Sequence, residues 1–331
     1  MNKEMSELCS WVISTAKKAG ADDCKVEIYK RRFVEVNYRE KKPETIKEAS
    51  TQQLAVNIYV NSRYSTQNTS DIRKDALEIF INNAVNNTKL LEEDPYRSLP
   101  EPKYYEGRVE KELKLFDSTH DQFTADERHN LVKEIETACF ERGGDKVVSV
   151  TAGEYDEIYE ETVMTSNGFT GGQKTTQCWC GAEMTAQDEG ERRPTGYYWV
   201  GCPNRNDLPD PQHIGKMAAE RTLDLLGGKK INTETLPIII ENRNVSRVLS
   251  GFVGGMYGQN IQQKRSFLAD KKDQKIGSDK LTIIDDPFIA GGFGSSLYDG
   301  DGFATKKRTM LEGGVLKEFY VDWYYSKKLE W

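Results

Sequence analysis

The chain has 331 residues, 46 Lys and Arg against 53 Asp and Glu, and a formal net charge of −7. That balance excludes a nucleic-acid grip built on net positive charge, and 37% hydrophobic with 30% charged residues describes a globular chain. No apolar run reaches membrane length, and Lys3, Glu4 and Glu7 interrupt the N-terminus, so no secretory h-region is read there. Six cysteines without dense pairing fit a reducing compartment, and a cytoplasmic protein is expected.

Leu8, Trp11, Val12, Ala16 and Ala19 recur at helical spacing, and Gly20 closes that helix. Lys25–Tyr38 alternates as one or two strands, and Leu54–Val60 repeats the pattern before an Asn61-Ser62 turn and Arg63–Gln67. Ser70 is placed to cap the next helix, with Ile72, Ala76, Ile79, Phe80 and Ala84 as its buried stripe. Glu92–Gly107 is polar, holds prolines and reads as a linker. Thr124 with Glu127 forms a capping box ahead of a helix with Leu131, Ile135, Ala138 and Cys139 inward. Lys146–Gly201 reads as an antiparallel meander with turns at Asn167-Gly168 and Glu189-Gly190. Asp210-Pro211 starts another helix, which runs to Gly227-Gly228.

Leu236–Ile240 reads as a buried strand, and Asn242–Gln263 as one helix with two faces. Val248, Leu249, Phe252, Val253 and Met256 make the apolar face, and Gly251, Gly254, Gly255 and Gly258 the other. A glycine inside a helix costs roughly 1 kcal/mol against Ala, so four cost about 4 kcal/mol, a large share of a domain's stability. Close helix packing explains such a face, and so does a second backbone or extended ligand laid against it. From Ser266 on the chain is β-rich, with Leu281–Ile284 as a strand and Gly313-Gly314 as a hairpin tip. Helices and antiparallel strands in blocks give an α+β class: an N-terminal antiparallel sheet with helices, then a β-rich, barrel-like C-terminal domain. The divisions expected are 1–107, a middle α+β segment 108–228 packing on the first, and 229–331, an incomplete C-terminal domain.

Self-sufficient chemistry is hard to find. His120, His129 and His213 lack metal-ligand spacing on one element. Cys178 and Cys180 share one strand face, with Cys202 as a possible third thiol, yet small buried hydrophobes are the ordinary role of such residues. Asp285-Asp286 and Asp299–Asp301 read as turns, and Lys306-Lys307-Arg308 as a solvated strand face. G-x-S-x-G, Walker and dinucleotide motifs are missing.

The chain resembles the TldD/PmbA (TldE) family. In the N-terminal segment the resemblance rests on Ala19-Gly20-Ala21, the strand pairs to Val60, Ser70-Asp71, and Glu93-Asp94-Pro95-Tyr96 with Leu99-Pro100. Further on it rests on Arg265-Ser266-Phe267-Leu268-Ala269, Leu281–Pro287, Gly291-Gly292, Asp301-Gly302, Lys307-Arg308-Thr309 and Gly314-Val315-Leu316. The resemblance implies a two-subunit cytoplasmic metalloprotease, also described as a modulator of DNA gyrase. In it a TldD-type subunit holds zinc on a His-Glu-x-x-x-His helix, and a TldE/PmbA-type subunit lacks the ligands. Here those three positions hold Ser250, Gly251 and Gly255. The resemblance therefore implies the non-catalytic subunit, with no catalytic residue, metal or cofactor of its own and with zinc in the partner. Ser250, Gly251, Gly254, Gly255, Arg265, Ser266 and Phe267 are the expected peptide- or partner-binding residues. The expected partners are a TldD-type subunit and a peptide substrate, or a second copy when the chain is alone, with no membrane and no direct nucleic-acid contact. The alternatives are a stand-alone peptide- or gyrase-binding scaffold and, less in keeping with the residues, a zinc hydrolase using Cys178, Cys180 or Cys202. Relatives continue past the position of Trp331, so a fragment or a shortened C-terminal part is expected.

Overall fold

The computed structural model describes residues 2–331. Helix α1 (Lys3–Lys18) is capped by Asn2, whose side chain accepts from Met5 N. It leads into two long strands, β1 (Asp23–Arg39) and β2 (Lys42–Val60), then β3 (Arg63–Thr69) and helix α2 (Lys74–Thr88). After an extended stretch with two short 3₁₀ turns, Pro102–Tyr105 and His120–Gln122, come α3 (Ala125–Gly143), β4 (Val147–Thr165), β5 (Thr170–Ala186), β6 (Thr195–Cys202) and α4 (Pro211–Leu223). The strands form one sheet in the order β3-β2-β1-β4-β5-β6, with every neighbouring pair antiparallel.

Period-2 alternation decides which face is covered. Cys24, Val26 and Ile28 point toward α1 and α2, and Val34, Val36 and Tyr38 toward α3 and α4. The helices thus cover one face in two separate clusters. The other face is left to Tyr29, Phe33, Tyr155, Tyr159 and Trp179; Phe33 and Tyr155 stack at 5.8 Å.

The capping box at Thr124–Glu127 is formed as expected, and so is the Asp210 cap with Pro211 at the first helical position. Ser70 does not cap α2. The helix starts at Lys74, and Asp71 instead closes a turn by accepting from Arg73 N. The buried stripe is Leu77, Ile81, Ala84, Val85 and Thr88, and Ile79 is exposed, so the expected phase is off by about one residue.

The C-terminal third is built differently. Leu236–Ile240 is not a buried strand: it is extended, pairs with no strand among the described residues, and leaves Ile238 and Ile239 in solvent. The long helix expected over Asn242–Gln263 is two helices, α5 (Asn242–Gly254) and α6 (Gly258–Gln262), interrupted at Gly255–Tyr257. Three glycines within five residues, at 254, 255 and 258, account for the break.

Strands β7 (Ile283–Asp285), β8 (Arg308–Glu312) and β9 (Val315–Leu316) form a three-stranded antiparallel sheet, and α7 (Trp323–Leu329) follows. Among the described residues this sheet does not close into a barrel. Gly313 and Gly314 do form the hairpin tip, both with positive φ, and a Cβ at Gly314 would lie 2.3 Å from Gly277 O. The small core here is Met256, Ile261, Leu268, Met310, Leu311, Leu316 and Phe319. No described helix is long and apolar enough to cross a membrane.

Candidate functional site

The expected binding residues lie on and beside α5. This helix has no fully buried residue, and its expected apolar face is only partly used: Phe252 packs on the small C-terminal core, and Val248 is exposed. The four glycines divide into two pairs. A Cβ on Gly255 would lie 3.1 Å from Phe267 and 3.2 Å from Leu268, and one on Gly258 would lie 3.3 Å from Val321. Those two serve close packing within the chain. A Cβ on Gly251 or Gly254 would meet nothing within 4 Å, so this side of the helix has open space beside it; Gly251 is exposed, and Gly254 is half-buried with its carbonyl accepting from Asn260 Nδ2 at 2.6 Å.

The structure brings Gly255, Ser266 and Phe267 together. Ser266 Oγ donates to Gly255 O at 2.5 Å and accepts from Leu268 N at 3.0 Å. Phe267 is exposed and leans on Phe252 with ring centroids 6.2 Å apart. Arg265 is exposed, with its backbone N–H bonded to Asn260 O, and Ser250 Oγ donates to Arg247 O at 2.8 Å within its own helix.

A zinc ion at this helix would need imidazole, thiolate or carboxylate donors. Ser250, Gly251 and Gly255 offer one hydroxyl already engaged and two positions without side chains, so these residues do not fit the metal. Nor does any group of three His, Cys, Asp or Glu placed to hold a metal occur among the described residues. Cys178 and Cys180 are buried, and Cys178 sits opposite Cys202 on β6. Burial pushes the thiols of Cys178 and Cys180 up to about 12, so they are neutral side chains filling the core under α3.

Beside α6 lies a cleft of about 760 Å³, walled by Tyr257, Asp285, Arg308, Tyr320 and the loop Ser296–Asp301. On the other side of that loop a second cleft of about 310 Å³ reaches the face of the large sheet that the helices leave free and that C-terminal loops partly cover, Phe293 stacking on Trp179 at 5.1 Å.

One cluster is absent from the expectations. His120, Arg128, Glu154 and Asp156 are all buried between α3 and the sheet. Arg128 Nε contacts Asp156 Oδ2, and His120 Nε2 lies 2.7 Å from Asp156 Oδ1. The distance is that of a hydrogen bond, but the angle leaves both His120 nitrogens without an aligned partner. Burial, then hydrogen bonding and repulsion from Asp156, push Glu154 up to about 9, so it is protonated at neutral pH. Burial also acts to raise Asp156, but the close approach of His120, Arg128 and protonated Glu154 outweighs it and holds this carboxyl below its usual range. A signal was available: Glu154 and Asp156 occupy inward positions of an alternating strand, and Arg128 lies one turn before Val132 on the buried stripe. The thiol paired with Asp156 across the sheet, Cys178, is buried and neutral, so the cluster reads as a structural anchor.

Comparison with known proteins places these features. Residues 119–226 match the PmbA/TldA metallopeptidase central domain, and residues 233–331 match the PmbA/TldA metallopeptidase C-terminal domain. The chain is 24% identical over 327 residues to the metalloprotease PmbA of Escherichia coli O157:H7, covering 96% of this chain and 70% of that one. It superposes on a Bacteroides thetaiotaomicron crystal structure of a candidate modulator of DNA gyrase with a TM-score of 0.95 and 31% identity. That match covers 99% of this chain and 74% of the other. TldE from Thermococcus kodakarensis shares the fold, with a TM-score of 0.79 at 18% identity, over 98% of this chain and 72% of that one.

Proposed function

The chain belongs to the PmbA/TldD metallopeptidase family, and from that premise we propose that it is the TldE/PmbA-type subunit of a heterodimeric peptidase. In this reading it binds an unfolded peptide and poses it for a zinc-bearing TldD-type partner in the cytoplasm. It supplies neither metal ligand nor general base. The observation that supports the proposal is the open side of α5, where a Cβ at Gly251 or Gly254 would meet nothing within 4 Å.

Bare backbone is what an extended peptide or a second polypeptide needs in order to approach closely, and it requires no catalytic side chain. Gly251, Gly254 and Ser250 would form that contact, with Gly255, Arg265, Ser266 and Phe267 supporting it from beside the helix. The 760 Å³ cleft next to α6 gives the peptide a path. The three-stranded C-terminal sheet would be a section of a barrel.

The test is to mix the purified chain with a TldD-type partner and a disordered peptide. Cleavage that requires both chains supports the proposal. Cleavage at the same rate with and without this chain contradicts it and leaves the stand-alone peptide- or gyrase-binding scaffold.

A further inference from the structure

The 310 Å³ cleft has walls of two kinds. Aromatic rings from Tyr59, Phe169, Tyr298 and Trp323 bound it, and Glu27 and Glu161 rise at its floor from the sheet face opposite the helices. Glu27 on β1 and Glu161 on β4 share that face, because Tyr29 is the residue paired with Glu161 and Glu27 lies two positions before it. Asp301 closes the rim from the loop, accepting from Trp323 N at 2.8 Å.

These three carboxylates differ from most acidic residues around them. Asp23, Asp94 and Glu157 each have a cation within 4.0 Å, but no described ion pair reaches Glu27, Glu161 or Asp301. Glu161 has only hydroxyl partners, Tyr159 at 3.0 Å and Tyr298 at 3.4 Å. Burial raises the carboxyls of both Glu161 and Asp301, with repulsion from Glu27 adding to the first and from Asp299 and Asp322 to the second. The lining carries Glu27, Glu161, Asp299, Asp301 and Asp322 against Lys25 and Arg97, so negative charge remains in excess. Lys25 Nζ bonds Gly300 O on the cleft wall at 2.7 Å and partly offsets Glu161 and Asp301 without pairing with either, and the Arg97 guanidinium lies on the Tyr324 ring at 3.6 Å. At the edges Arg108 lies over Phe169 and Tyr298 and Lys327 over Trp323, which leaves Tyr59 as the ring no cation of the chain covers among the described residues.

We propose that this cleft is a binding site for an alkylammonium or guanidinium group, as carried by a basic side chain of a peptide. Aromatic faces attract a cation through the ring quadrupole, and a partly desolvated carboxylate gains most from a charged donor. The cleft shares the wall Ser296–Asp301 with the larger one beside α6, so a peptide lying there would have a socket for a Lys or Arg side chain. The inference extends the peptide reading, but its test needs no partner enzyme and so fails or succeeds separately.

The experiment follows the Trp323 indole N–H by NMR, with W323F to assign the signal. The full chain is titrated with N-acetyl-arginine amide and N-acetyl-lysine amide, and with the neutral citrulline and norleucine analogues. Saturable shifts with the charged amides and none with the neutral ones are expected. Glu161→Gln and Glu27→Gln should each weaken binding by roughly tenfold, the effect of one lost charge-assisted contact. Either variant suffices if the other fails to fold. A parallel titration with spermidine identifies the source, since tighter binding of the free polyamine makes a polyamine the ligand of the same cation site. Absence of saturable shifts, equal shifts from citrulline amide, or unchanged affinity in the folded variants would overturn the proposal.

Discussion

The sheet region and the C-terminal third bury their apolar residues to very different extents. In the sheet region alternate residues of β1, β2, β4 and β5 go into two helix-covered clusters, and Ile28, Leu54, Ile58 and Ile81 are fully enclosed. In the C-terminal third seven buried residues make the core, and Leu236, Ile238, Ile239 and Val248 stay exposed on neighbouring segments. Contiguous exposed apolar groups of this kind mark surfaces that meet something else, whereas singly scattered ones carry no such meaning. On the function proposed above, the first region supplies stability and the second would meet other molecules.

Four substitutions break or sharpen that contrast. The largest effect should come from Asp156→Ala, which leaves the buried Arg128 guanidinium without its counter-charge and removes the carboxylate beside His120. A loss of about 3–5 kcal/mol is expected by urea unfolding. Ile81→Ala should follow at roughly 2–5 kcal/mol, because α2 and the sheet enclose that side chain completely.

Glu154 gives a smaller and pH-dependent effect. Its folded-state value is raised from the usual 4.5 to about 9, so between those limits the folded protein holds a proton that the unfolded chain releases. Stability contributed by this group is complete below about 4.5 and is lost as pH rises toward 9. Melting temperature measured from pH 6 to 9 should therefore fall, and Glu154→Gln, which cannot ionise, should flatten that decline. The smallest effect belongs to Ile239→Ser, within about 0.5 kcal/mol, since the residue is already in solvent. A loss as large as that of Ile81→Ala would erase the distinction between the two regions.

The sheet was legible because its signals are local and periodic. Alternation from Lys25 to Tyr38, the Thr124–Glu127 box and the Asp210-Pro211 start each depend on a few neighbouring residues. The Ser70 cap failed because Asp71 competes for the same turn, and a side-chain hydrogen bond three residues early does not begin a helix. Leu236–Ile240 carries every mark of a buried strand, yet strand composition describes a pleated, half-buried surface and does not supply a partner. The glycines were visible, but their division was not. Gly255 and Gly258 pack on Phe267 and Val321, contacts set by tertiary structure, and only coordinates separate them from Gly251 and Gly254. The His120–Asp156 contact spans 36 positions, beyond any periodic reading, although charged residues at inward positions of β4 marked one half of it.

The most direct measurement is complex formation by Gly251→Leu and Gly254→Leu with a TldD-type partner, followed by sedimentation velocity. A Cβ at either position meets nothing within 4 Å, and replacing the exposed helical Gly251 should stabilise the isolated chain by up to about 1 kcal/mol, with a smaller gain at half-buried Gly254 on the last turn. The account predicts that each variant keeps or gains thermal stability and loses association with the partner or with its peptide. Association and peptide cleavage at wild-type levels in both variants would contradict it.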